Sequence, residues 1–291
     1  MPYTGITGYT TSDLEKMQRT VIAQARYTRE HKGCMVGLSE RFDLEAGQST
    51  LTVPKLSAFD DAQDLQDGVD MTQAQQIANS YTDITTAEIG IKGIITDKLI
   101  RQMNESVWRM LGRLLGDSMK RKIEKDGLDL CDGFSNSLGA ASTAITTGYL
   151  TAAITQLLGQ TEPAPEPFAY VGHPYQVKLL MDTVARVGTY PLPEGISAQM
   201  VKDYWRGTLD MFGVAIFSNG LITVDSSGDA KGALFSKSAL GYVVGKEAYT
   251  ERQRDASLRA WELVHVQDSD WVELDDSYGR EMYFDCATPT T

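Results

Sequence analysis

The sequence is poor in the groups that catalysis and covalent stapling use. Its 291 residues hold 3 cysteines and 3 histidines. Cys34, Cys131 and Cys286 lie far apart and make no CxxC pair, so the pattern predicts reduced thiols rather than a disulfide framework or a thiolate metal site. His31, His173 and His265 are isolated, and no HxxxH or HExxH spacing offers zinc a site. A GxSxG elbow, a P-loop and a GxGxxG turn are all missing. There is no run of about 18 apolar residues, so a helix that spans a membrane is not expected. The opening MPYTGITGYTTSDLEK has no basic region followed by an apolar core, so a secretory signal is not expected either. These absences predict a non-enzyme with no cofactor and no metal. One short stretch, DSSGD, imitates the start of a calcium loop with Asp225, Ser227 and Asp229. Its twelfth position is Ser236 rather than a bidentate Glu, so it reads as a turn. Asn104-Glu-Ser matches a glycosylation acceptor but falls inside a predicted helix, which argues against its use.

What is there is ordinary in bulk and uneven in detail. A chain 42% hydrophobic and 23% charged is typical of globular proteins, and its length suits one large domain or two ordinary ones. The formal net charge is −12, which opposes non-specific attraction to nucleic acid or anionic lipid while leaving room for a local basic patch. Between Phe59 and Gly90 stand Asp60, Asp61, Asp64, Asp67, Asp70, Asp83 and Glu88 with no Lys or Arg. Between Glu262 and Asp285 the acids are opposed by Arg280 alone, whereas Thr96 to Asp126 is rich in Lys and Arg. Such asymmetry predicts a molecule with distinct faces, or complementary patches between copies. A normal solvated surface explains part of it.

Residues 11–31 suit a helix capped by Thr11 or Ser12, with Leu14, Met17, Val21, Ile22 and Ala25 on one side and Lys16, Arg19, Arg26 and Arg29 on the other. STLTVPKLSAF reads as a strand with an edge-type proline, and YTDITTAEIGIKGIIT alternates at period two as a second strand. The acidic tract lies between them, so a long hairpin-like excursion is predicted, with too little apolar surface at its tip for a core of its own. Thr96 or Asp97 then caps a helix predicted to run to Asp126, with Gly127 just past its end. Leu99, Ile100, Met103, Val107, Met110, Leu111, Leu114, Leu115, Met119 and Ile123 form its 3.6-period stripe. Lys120, Arg121 and Lys122 within KRKIEK, together with Arg19, Arg26 and Arg29, are the places where phosphates could be held. A helix end answering its own dipole explains KRKIEK nearly as well. The middle reads as mixed α/β: helices at GYLTAAITQLLGQ and HPYQVKLLMDTVAR, strands at FAYVG, FGVAIFSN and GALFSKSALGYVVG. An alternating strand through Leu258, Ala260, Leu263, Val264 and Val266 follows, then a turn and a further strand-like stretch.

The order of these pieces carries a resemblance. DGVDMTQAQQ, then ITTAEIGIKGIITDKLI running into a long helix, then a mixed region and a closing ERQRDASLRAWELVHVQDSDWVELDDSYGREMYF, resembles the major capsid protein of tailed bacteriophages. The likeness covers nearly the whole chain and rests on patterns, not on invariant motifs. It implies an α+β fold of the Hong Kong 97 type, with an N-terminal arm over 1–48 and an extended E-loop hairpin over 49–93. A peripheral P-domain with its long spine helix would occupy 94–135, an axial A-domain 136–246, and further P-domain strands with the C-terminus 247–291. The implied function is self-assembly, through pentamers and hexamers, into an icosahedral head shell in the virion around double-stranded DNA, after assembly in the host bacterial cytoplasm. Asp60, Asp61, Asp64, Asp67 and Asp70 of the E-loop would meet neighbouring subunits. The basic residues named above would face the packaged DNA through non-specific contacts, and no membrane is involved. Some relatives carry a long N-terminal scaffolding segment. Residues 1–48 are short for one, so a separate scaffolding protein and a portal are expected as partners. Relatives that crosslink lysine to asparagine are matched here by Lys55 alone, which is too little to assign that chemistry. An encapsulin-like compartment, with the same fold around protein cargo, is the alternative. A cytosolic α/β enzyme is the third reading.

Overall fold

A computed structural model describes residues 33–45, 47–56, 79–102, 106–185 and 209–289, with isolated positions between 59 and 76. The predicted helix over 11–31 lies outside the described residues. The elements run α1 (Met35–Leu38), β1 (Glu40–Asp43), β2 (Thr50–Leu56), β3 (Asn79–Thr85), β4 (Glu88–Thr96), α2 (Asp97–Gln102), α3 (Ser106–Asp129) and β5 (Ser137–Gly139). They continue as α4 (Thr147–Leu158), β6 (Phe168–Gly172), α5 (Pro174–Ala185), β7 (Leu209–Met211), β8 (Val214–Ser218), β9 (Asp229–Ser236), β10 (Leu240–Asp255), β11 (Ala260–Glu273) and β12 (Gly279–Asp285). Helix and sheet are mixed, as the sequence predicts.

The strands form three sheets. A six-stranded sheet has the order β5-β12-β9-β6-β8-β7, a four-stranded sheet the order β1-β10-β11-β4, and β2 pairs with β3 alone. β6 is FAYVG, an unbroken apolar run buried at every position, as a strand covered on both faces must be. Period two sorts the residues of the large sheet. Tyr170 and Leu234 pack with Leu150 and Leu157 of α4 and Leu180 of α5. Their chain neighbours Val171 and Phe235 join Met119, Ile123 and Leu128 of α3 on the other face. β9 passes through one 3-10 turn at Lys237–Ala239 into β10, so a single run of chain crosses from one sheet to the other and both share a core.

Helix α3 spans 24 residues, about 36 Å at 1.5 Å per residue. The predicted cap belongs to the shorter helix before it: the Thr96 hydroxyl accepts the Leu99 N–H at 3.3 Å and caps α2, while α3 is described from Ser106. The end of α3 differs from the prediction. The helix continues through Gly127 to Asp129, because Gly127 is where the indole of Trp271 crosses it. A Cβ there would meet that ring at 2.9 Å. Trp271 Nε1 donates to the Ile123 carbonyl at 2.9 Å, so the glycine serves packing inside the helix rather than termination after it. Leu115, Met119 and Ile123 are buried at four-residue spacing, while Leu114 of the predicted stripe is 45% exposed.

Two further expectations are corrected. The stretch YTDITTAEIGIKGIIT is not one strand. β3 ends at Thr85 on the β2 ladder, and β4 begins at Glu88 on the β11 ladder, with the Ala87 carbonyl accepting from Ser269 N at 3.1 Å at the changeover. Leu258 lies in the β10–β11 turn and not in a strand, because the Asp255 carboxylate accepts the Ser257 and Leu258 N–H groups and closes the chain there. DSSGD is a turn of the same kind: Asp225 Oδ1 accepts the N–H of Ser227 at 2.8 Å and of Asp229 at 2.9 Å. Those backbone bonds hold the Asp225 carboxyl below its ordinary pKa.

Candidate functional site

The β2–β3 hairpin departs most from the rest of the molecule. Its register runs from Thr50 opposite Thr85 to Leu56 opposite Asn79, and among the described residues neither strand pairs with anything else. Pro54 sits on it without disturbing a sheet interior, since there is none. Beyond the ladder the described side chains are solvent-facing: Phe59 is 62% and Leu65 65% exposed, and Tyr81 on β3 is 63% exposed. Asp61, Asp64, Asp67 and Asp70 are exposed as well; Asp60 lies outside the described residues. At the foot of the hairpin Ile84 is 2% exposed, so the base is part of the body while the tip is not.

One polar contact ties the far end of the ladder down. Lys55 Nζ pairs with Asp275 and lies 3.7 Å from Glu162, with the Tyr278 ring 5.1 Å away. The Asp275 hydrogen bond outweighs desolvation and raises the lysine pKa. Burial pushes the Asp275 carboxyl up, but the bonds from Lys55 and Ser277 pull it net below the ordinary value.

A second device sits where the N-terminal segment meets α3. Glu124 is 3% exposed, and its carboxylate accepts from Cys34 N at 2.7 Å, Met35 N at 3.2 Å and Asn219 Nδ2 at 2.8 Å. It thereby caps α1 and joins the N-terminal segment, α3 and the end of β8. Burial first, then the nearby Glu124 charge, raises the Cys34 thiol far above its usual pKa, and burial takes Cys131 to about 12. Both thiols are therefore poor nucleophiles at neutral pH. Sequence reasoning missed Glu124 inside KRKIEK. The available signal was its place beside Ile123 and four residues before Leu128, on the buried side of α3.

The basic candidates divide. Lys120, Arg121 and Lys122 are exposed together on α3, with Lys122 Nζ 2.5 Å from Asp126 Oδ1. Arg19, Arg26 and Arg29 lie outside the described residues. The last turn of α3 carries no basic residue, so the dipole explanation for KRKIEK loses its geometry. His173 and His265 stand in different parts of the fold. Among the described residues no three His, Cys, Asp or Glu side chains are arranged to hold a metal ion, and no helix is long and apolar enough to cross a membrane.

Among solved structures, the chain is similar to the head of the Helicobacter pylori bacteriophage KHP40, with a TM-score of 0.70 over 98% of this chain and 99% of that one at 10% identity. It has the Hong Kong 97-type capsid fold. The capsid of the cyanophage P-SCSP1u shares this fold, with a TM-score of 0.69 over 97% of this chain and 96% of that one at 13% identity. So does an encapsulin complex from Synechococcus elongatus, with a TM-score of 0.60 over 96% of this chain and 98% of that one at 13% identity. No protein-family model matches the chain, and no curated protein matches it by sequence. At these identities the likeness carries the Hong Kong 97-type fold, and function is argued from the chain itself.

Proposed function

We propose that this chain is the major capsid protein of a tailed bacteriophage, a structural subunit that assembles with its own copies into an icosahedral head shell around double-stranded DNA. The observation that carries the reading is the whole-length likeness to phage heads together with a hairpin that its own subunit leaves unfinished. A two-stranded ribbon is at best marginally stable in water, and this one exposes Phe59, Leu65 and Tyr81. Contacts from neighbouring copies supply what the ribbon lacks. In this reading residues 49–93 are the E-loop, α3 is the spine of the P-domain, residues 136–246 form the A-domain, and the segment from 247 closes the P-domain. Asp61, Asp64, Asp67 and Asp70 meet neighbouring subunits. Lys120, Arg121 and Lys122 face the nucleic acid by non-specific phosphate contacts. A separate scaffolding protein and a portal complete the assembly.

The encapsulin likeness favours a second reading, a compartment that encloses protein. The two separate in one experiment. Protein expressed alone and with its neighbouring phage genes is purified and imaged by negative-stain electron microscopy. Closed shells or rings of five and six subunits are expected, holding DNA when the phage genes are present. Shells filled with protein cargo and indifferent to those genes favour the compartment. A chain that stays monomeric under both conditions contradicts both readings.

A further inference from the structure

Arg280, at the start of β12, is the only Lys or Arg among the described residues that is buried, with 6% exposure. Its Nη1 donates to the carbonyls of Ser277 at 3.0 Å and Gly279 at 2.6 Å. Its Nε is buried with no hydrogen-bond partner. By contrast, the more exposed Lys55, Lys92, Lys231 and Arg254 each have a carboxylate within 4 Å. Arg280 has none among the described residues. Burial accordingly pulls its pKa down, and the Asp276 charge offsets this only in part. A guanidinium withdrawn from water without an anion is costly, and a partner that restores the pair is strongly favoured.

The side chain lines an open groove of about 820 Å³ beside α4. Gly148, Thr151, Ala152, Thr155 and Gln156 of that helix line it, together with Asn136 and Gly159. None of these residues is charged. A Cβ built on Gly148 meets only the Thr146 hydroxyl, at 3.5 Å, so the groove has room for an incoming side chain. We propose that this groove receives a carboxylate side chain from the acidic segment of a second copy of the chain, and that Arg280 holds it.

Three observations select that occupant. The guanidinium offers an incoming carboxylate a charge-assisted hydrogen bond from its remaining terminal nitrogen, since Nη1 already serves two carbonyls and Nε is buried. A single arginine among Thr, Gly and Ala does not suit a DNA backbone, which is held by several cations along its track. The chain's own acidic segment leaves the body beside this groove, since Lys55 is tied to Asp275 and Glu162, while Gln160 donates to the same Ser277 carbonyl that Arg280 uses. Yet its described acids Asp61, Asp64, Asp67 and Asp70 remain exposed and the groove stays open. The segment of another copy, carrying acids and no Lys or Arg from Phe59 to Gly90, fills it. This docking rests on the shell reading above.

The test uses full-length protein and follows association by sedimentation velocity over a concentration series. Thr151→Glu places a carboxylate in the groove from within. It is expected to weaken association about tenfold, the value of one charge-assisted contact, while the melting temperature of the unassembled subunit holds or rises because Arg280 gains an internal partner. Arg280→Gln weakens association to a similar degree. So does changing Asp61, Asp64, Asp67 and Asp70 together to Asn, with no change in the subunit's melting temperature. A wild type that never associates overturns the shell reading and the docking with it. A wild type that forms shells beside a Thr151→Glu protein that forms them as readily overturns the docking alone. A fourfold Asn variant whose isolated subunit melts lower shows that the acids bind within their own copy. An Arg280→Gln variant that loses duplex DNA binding but not association shows that the partner is a phosphate. Either result overturns the proposal.

Discussion

The six-stranded sheet and the β2–β3 hairpin are both built from short strands, and they meet opposite fates. In the sheet, Tyr170, Leu234 and Phe235 are fully buried, because helices α4 and α5 cover one face and α3 covers part of the other. The hairpin has one ladder, two open edges and exposed aromatic side chains, with Ile84 at its foot as its link to a core. The sheet completes itself within one chain. The hairpin is complete only with something outside it, and in the shell reading that something is another subunit.

The strongest way to break this contrast is to damage the sheet. Phe235→Ala empties a site between the sheet and α3, and a loss of about 3–5 kcal/mol of subunit stability is expected in denaturant unfolding. A loss no larger than that of a surface change would mean that the two regions do not differ as described. Glu124→Ala comes next. It orphans the N–H groups of Cys34 and Met35 and the Asn219 amide, at a cost of about 1–3 kcal/mol. It also removes one of the causes that hold the Cys34 thiol protonated, so a maleimide should label Cys34 faster than in the wild type at the same pH. Unchanged labelling would detach the thiol from the clamp.

The smallest effect belongs to the hairpin's own tether. Asp275 has a lowered carboxyl pKa in the folded state, so its contribution is present above the ordinary aspartate value and is lost as pH falls through the lowered one. The window is therefore below about pH 4. Lys55→Met should reduce that acid dependence, since the Ser277 bonds to Asp275 remain, and cost about 1 kcal/mol at neutral pH, the lysine being 38% exposed. Melting temperatures of the two proteins, compared from pH 3 to pH 7, check this: the gap between them closes on acidification if the pair is the tether, and stays constant if it is not.

The elements most readable in the sequence were those whose signal is local. Leu115, Met119 and Ile123 announced α3, Thr96 the beginning of α2, and FAYVG a covered strand. The hairpin was readable because its polar tip and its flanking Thr/Ile strands sit side by side in the chain. What escaped was decided by distant partners. Nothing near Thr86 says that the chain leaves the β2 ladder for β11, and nothing near Gly127 says that Trp271 will cross it. The same holds for the two candidate sites that pattern reading missed. Glu124 acquires its role from Cys34 and Asn219, and Arg280 from the groove that α4 builds beside it. A lone charge in a sequence looks alike whether it ends in solvent or in a core.

The central claim is that the hairpin tip works between subunits and not within one. Residues 57–78 are replaced by a short Gly/Ser turn that keeps β2, β3 and Ile84. Thermal unfolding by circular dichroism and electron microscopy are then run on the same preparation, beside the wild type. The account predicts a folded subunit whose melting temperature is within a few degrees of the wild-type subunit's, because the described residues among those removed are exposed and loop length changes cost little, and it predicts that this subunit forms no closed shells. Normal shells from the shortened chain, or a subunit that no longer folds, would contradict it.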